Sequence, residues 1–195
     1  LRRQHLVDSV DAEKGILYFI NPSEFPMGFF YTRTQRYFVE YVREALDAPG
    51  EWHLDRTSGT LTYYPRPGED MTQVEAVAPV GTEELLRLEG DPAAGKFVEN
   101  LRFEGLAFQY TDWSMPDEAM ADGFGAAFLD TATVFAEGAR NCAFSQCEIA
   151  HTGGYALWLT LGCKGNRVEQ CHLHDLGAGG VRIGRCKISD VRIDG

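Results

Sequence analysis

Apolar and polar positions alternate along the second half of the chain in runs of four to six residues, and glycines separate the runs. Leu157-Trp158-Leu159 and Val181-Arg182-Ile183 send aliphatic residues to one face and Trp158 and Arg182 to the other, the period of a strand. No run has the length or the three-to-four spacing of an amphipathic helix. The same phrase occurs twice. Phe144-Ser145-Gln146-Cys147-Glu148-Ile149-Ala150-His151 is answered by Val168-Glu169-Gln170-Cys171-His172-Leu173-His174-Asp175, and Cys147/Cys171, Ile149/Leu173, Gly153/Gly177 and Leu159/Ile183 each lie 24 positions apart. Short β-type runs at a fixed period are the mark of a solenoid. The expected fold is all-β, a right-handed parallel β-helix whose hand follows the usual crossover preference.

Equivalent residues of successive turns would stack about 4.8 Å apart. Cys147 on Cys171, Ile149 on Leu173 and Leu159 on Ile183 are expected to form interior columns. Phe135 lies 24 before Leu159, Gly138 lies 24 before Gly162, and Val134 is expected under Trp158 and Arg182. Phe103-Glu104-Gly105-Leu106-Ala107-Phe108 repeats the opening once more, displaced by an insertion between Tyr110 and Gly125 that carries Asp112, Trp113, Asp117, Glu118 and Asp122. Insertions into a solenoid emerge as loops on one face, often the binding face; a plain solvated connection fits the composition equally well.

Ahead of the repeat, residues 1–96 read as a small β-rich subdomain, and residues 97–195 as parallel β-helix turns. Strands are expected at Leu17–Ile20, Tyr37–Val42, Val74–Val80 and Leu85–Leu88, with a helical turn at Arg43–Asp47 closed by Pro49-Gly50. The strongest local signal is a hairpin, Glu51–Asp55 and Thr60–Tyr64 around Thr57-Ser58-Gly59. Asp190-Val191-Arg192-Ile193 opens a further turn with no capping segment after it, so a piece of a longer protein is expected. Contact with further β-helix turns or with a second copy would cover that end.

A hydrophobic content of 44% places the chain among globular proteins, and a net charge of −11 disfavours nucleic acid or an anionic membrane as partner. No stretch is apolar enough to span a bilayer, and Leu1-Arg2-Arg3-Gln4-His5 is followed by no signal-peptide core. The five cysteines show no CxxC-type spacing. An interior thiol ladder fits them better than zinc or disulfides.

Register gives the candidate chemistry. His151 falls over Asp175, Glu148 over His172, Ala150 over His174 and Trp158 over Arg182. Asp175, Glu148, His151 and His174 are the candidate catalytic groups. Trp158, Arg182, His172 and Trp113 are candidate sugar contacts, because apolar ring faces stack on aromatic side chains while acid and base work at the glycosidic oxygen and water. His and Asp beside tight glycine turns also serve simply to bond the backbone. Gly177-Ala178-Gly179-Gly180 is not a phosphate loop, since no Lys-Ser/Thr follows.

Glu44–Asp55 with Gly59–Pro65, then His151–Leu159 and His172–Gly184, resemble in order and spacing blocks of large bacterial right-handed β-helix proteins. Some of these belong to a glycoside hydrolase family that includes an α-L-fucosidase acting on pectin side chains and an endo-xylanase. The resemblance, over about residues 35–184, implies hydrolysis of a plant cell-wall polysaccharide such as xylan by a bacterial protein; no cofactor or metal is expected, and a secreted or periplasmic location is. Two other classes remain open. A polysaccharide lyase would use calcium held by carboxylates, and a glycan-binding or scaffold segment would do no chemistry.

Overall fold

The structure, a computed structural model, describes residues 5–20, 37–79, 81–114 and 131–185. They are all-β apart from one 3-10 turn at Arg43–Ala45, and none of their helices is long and apolar enough to cross a membrane. The chain divides into two compact units, one of Pro26–Val77 and one of Leu1–Phe25 with Ala78–Gly195.

The larger unit opens with an antiparallel hairpin, β1 (Val7–Asp11) and β2 (Ile16–Phe19). In the smaller unit the expected hairpin forms as β3 (Trp52–Asp55) and β4 (Thr60–Tyr63), paired from Trp52–Tyr63 to Asp55–Thr60. Its turn is held by Asp55, whose carboxylate accepts from Thr57 N–H (2.9 Å), Ser58 N–H (3.3 Å) and the Ser58 hydroxyl (2.8 Å). The strands expected over 37–42 and 74–80 do not form over 37–42 and 74–79. Tyr41 turns the first aside with φ 63°, and Val74 and Val77 are exposed.

The other described strands of the larger unit pair in parallel. β5 (Leu86–Glu89), β6 (Val98–Glu99), β7 (Arg102–Glu104), β8 (Ala107–Thr111), β9 (Ala132–Glu137), β10 (Ala139–Arg140), β11 (Ala143–Ser145), β12 (Glu148–Thr152), β13 (Tyr155–Leu159), β14 (Arg167–Glu169), β15 (His172–Leu176) and β16 (Val181–Ile183) follow one another. They sort into sheets β7-β11-β14, β8-β12-β15 and β5-β9-β13-β16, with a short pair β6-β10. From β7 onward the chain visits these sheets in turn and repeats. The parallel stack thus begins at Leu86, ahead of the expected Phe97, because β5 pairs with β9.

Most of the expected register holds. Ala143 pairs with Arg167, Ile149 with Leu173, Leu157 with Val181 and Trp158 with Arg182, each 24 residues on. Phe103 pairs with Phe144 and Phe108 with Ile149, so the displaced repeat belongs to the stack. One expectation fails. Val134 lies against Leu157 and Phe135 against Trp158, a shift of one from the 24-residue rule, and Ala136 rather than Phe135 faces Leu159. Side-chain direction explains the slip. A period-two strand displaced by one would turn buried Val134 outward; as built, Val134 and Leu157 are 0% and 1% exposed inside, and Phe135 meets Trp158 edge-on at 5.4 Å outside. Arg140 opposite Lys164 restores the spacing of 24.

The interior is filled by Leu88, Val134, Phe144, Ile149 and Leu157, with Phe103 stacked on Phe144 at 4.8 Å. Cys142, Cys147, Cys163 and Cys171 are all free thiols. Cys147 Sγ donates to Ser145 O and Cys171 Sγ to Glu169 O, one pass apart. Cys186, Asp190–Ile193 and the acids Asp117, Glu118 and Asp122 lie outside the described residues.

Non-glycine residues with left-handed backbone recur in columns. Asn100 lies before Asn141, and Gln146 before Gln170; Tyr110, His151 and Asp175, at φ 64°, 53° and 50°, make a third set at the same repeat spacing. Asn tolerates this conformation and glycine adopts it freely, whereas an aromatic residue there is unusual. These bends break the in-out alternation at the end of the β8-β12-β15 sheet.

Candidate functional site

With Phe108, Ile149 and Leu173 packed inward, the opposite face of β8, β12 and β15 presents a grid. Its rows are Gln109 and Tyr110; Glu148, Ala150 and His151; and His172, His174 and Asp175. Register places Glu148 beside His172, and Ala150 between Gln109 and His174. Ala150 is too small to intervene, so both neighbours reach diagonally to Glu148. Gln109 Nε2 donates to Oε2 at 2.9 Å, and His174 Nε2 to Oε1 at 3.0 Å. His172 Nδ1 stands 3.9 Å from the same Oε1, and its ring stacks on that of His174 at 4.1 Å. The His174 hydrogen bond, and beyond it the charges of His174 and His172, holds the Glu148 carboxyl below the usual carboxylate range, against a partial loss of water.

The left-handed bend adds the second half. Because His151 departs from strand geometry, it points outward directly after Ala150, as Tyr110 does after Gln109 and Asp175 after His174. The imidazole of His151 lies flat on Tyr110, with ring centres 5.0 Å apart and planes 11° from parallel, and meets His174 edge-on at 5.8 Å. His151 Nδ1–H donates to Asp175 Oδ2 at 2.5 Å. Nε2 is left facing away from that bond, the arrangement in which a carboxylate orients an imidazole for proton transfer. The pair is open to solvent, with the His151 side chain 40% and that of Asp175 69% exposed.

Five of the sequence candidates therefore come together: Glu148, His151, His172, His174 and Asp175. Trp158 and Arg182 do not join them. They lie on the β5-β9-β13-β16 sheet, and Trp158 is 3% exposed rather than an open platform. Its indole N–H donates to Gly184 O at 2.8 Å, and the Arg182 guanidinium covers its ring at 4.0 Å. An aromatic residue facing out of a sheet still becomes buried when a cation and its neighbours Tyr155 and Phe135 close over it. Trp113 is half-buried; its N–H bonds to Asp112 Oδ1, and its backbone passes close to Gly153. Among the described residues, no hydrogen bond or ring contact ties it to the histidines.

Sequence reasoning missed Tyr110 and Gln109. The signal was present: carrying the Phe103/Phe144 match seven residues on puts Tyr110 beside His151. Compared with known proteins, the chain matches no family model, no curated protein and no solved structure.

Proposed function

We propose that the parallel sheets form a right-handed parallel β-helix whose β8-β12-β15 face hydrolyses glycosidic bonds of a plant cell-wall polysaccharide such as xylan. The observation that carries this reading is the column Tyr110–His151–Asp175 beside an ionised Glu148. One left-handed position per pass is occupied by a titratable side chain, and backbone strain of this kind gathers where function holds it in place. The resemblance of the chain's motif order to blocks of large bacterial right-handed β-helix proteins, some of them glycoside hydrolases, supports the same reading.

In this mechanism Glu148, held ionised by His174, serves as the base that activates water. His151, its Nδ1–H held by the Asp175 carboxylate and a second proton on Nε2, gives the Nε2 proton to the leaving oxygen, while Glu148 takes the proton of the attacking water. Tyr110 stacked on His151 takes over from Trp158 as the apolar ground for a sugar ring. One strand across and three residues along sets the backbones of Glu148 and Asp175 roughly 11 Å apart, at about 4.8 Å per strand and about 3.3 Å per residue. Two side chains leaning toward each other from that backbone spacing leave room for the about 6.5–9.5 Å between the carboxyls of an inverting pair more readily than the about 5–5.5 Å of a retaining one. The lyase alternative gains nothing here, because this face offers imidazole nitrogens where calcium takes oxygens.

Turnover of xylan, pectin fragments and aryl glycosides by the chain and by its D175N and E148Q variants tests the proposal. The expected result is hydrolysis of at least one substrate with inversion, reduced roughly 10²-fold or more in each variant. Absence of turnover on all three, or variants as active as the parent, overturns it.

A further inference from the structure

Three of the five histidines of the chain meet on one sheet face, and acid–base catalysis needs at most one or two of them. His172 and His174 are two residues apart on β15, so both rings leave the same side of the strand. Glu148 faces them from β12, and one ligand atom from each of the three residues falls within 4.8 Å of the others. Two donors bound at about 2.0–2.1 Å to a tetrahedral ion stand about 3.3–3.4 Å apart. The separations from Glu148 Oε1 to His174 Nε2 and His172 Nδ1, 3.0 and 3.9 Å, bracket that value, so small side-chain rotations bring all three onto one centre.

The surroundings are also those of a ligand set. Gln109 holds Oε2 of Glu148 from the far side and turns Oε1 toward the imidazoles, the outer-partner arrangement that orients metal-binding carboxylates. The three residues stand on paired neighbouring strands, a rigid support. Two nitrogens and one carboxylate oxygen suit borderline transition-metal ions and suit calcium or magnesium poorly. Three protein ligands leave a position open, and the His172 side chain, 73% exposed, gives an ion direct access from solvent.

We propose that Glu148, His172 and His174 form a binding site for one divalent transition-metal ion of the Zn2+ or Ni2+ type. The site stands independently of glycan hydrolysis. Where both operate, the ion occupies Glu148 and inhibits turnover.

Calorimetric titration of the whole chain with Zn2+, and separately with Ca2+, tests this. The expected result is one saturable Zn2+ site and no comparable Ca2+ site. Binding should weaken at least tenfold in H172A, H174A and E148Q and about tenfold in Q109A, and stay unchanged in H53A. H172A guards against misfolding, since that side chain is largely exposed; its thermal melt should match the parent. Absence of saturable Zn2+ binding overturns the proposal. So does binding equally tight in H172A, H174A and E148Q, which would place the ion on the cysteines or elsewhere.

Discussion

Tyr110 pays a steric penalty that Asn100 and Asn141 largely avoid, because only small or locally hydrogen-bonding side chains sit easily in the left-handed region. The ring gains in return a face-to-face contact with His151. Close by, the glycine column at 153 and 177 solves a different problem. A Cβ on Gly177 would stand 2.1 Å from Gly153 O and 2.9 Å from Thr152 O, and one on Gly153 would stand 2.4 Å from Trp113 N. These obstacles are backbone atoms and cannot rotate away. Gly177→Ala is therefore expected to destabilise by about 1–3 kcal/mol, read as a lowered urea midpoint with the slope unchanged. At this scale the sequence was informative wherever the 24-residue spacing ran unbroken: His151 with Asp175 and Glu148 with His172 follow from counting. Tyr110 was hidden because the insertion lies between it and the next pass. The burial of Trp158 was hidden because alternation tells which side a residue faces and not what covers it.

Among the elements, the β3–β4 hairpin was legible because its turn chemistry is local. Asp55 closes the turn through the Ser58 hydroxyl and two backbone N–H groups, and the first of these contributes most to holding its carboxyl below the usual 3.8. A carboxyl depressed in the folded state adds stability above its unfolded pKa and loses it as pH falls through the folded value. D55N should thus have a lower urea midpoint than the parent at pH 7. The gap should narrow as pH drops below 3.8, and a gap independent of pH would show that the charge is not involved. The slip between β9 and β13 was not legible from spacing, although the burial of Val134 against Leu157 decides it. Residues 37–42 mislead for a related reason: an apolar, aromatic run has strand propensity, but among the described residues no strand pairs with it, and propensity alone does not make one.

For the molecule as a whole, the parallel sheets place successive cysteines at different depths of one structure. Cys142 and Cys147 are 1% and 2% exposed, while Cys163 and Cys171 are half-buried, and desolvation raises the Cys163 thiol above its ordinary pKa. Thiolate is the reactive form, so both depth and pKa slow modification. Among the four described thiols, a thiol reagent followed by peptide mapping should label Cys171 first and Cys163 more slowly, with Cys142 and Cys147 reacting only at the rate at which their strands part. Labelling of Cys147 in native buffer as fast as a free thiol would contradict this order. The sulfur ladder thus acts as a set of internal clocks, each timing the breathing of its own layer without any engineered probe.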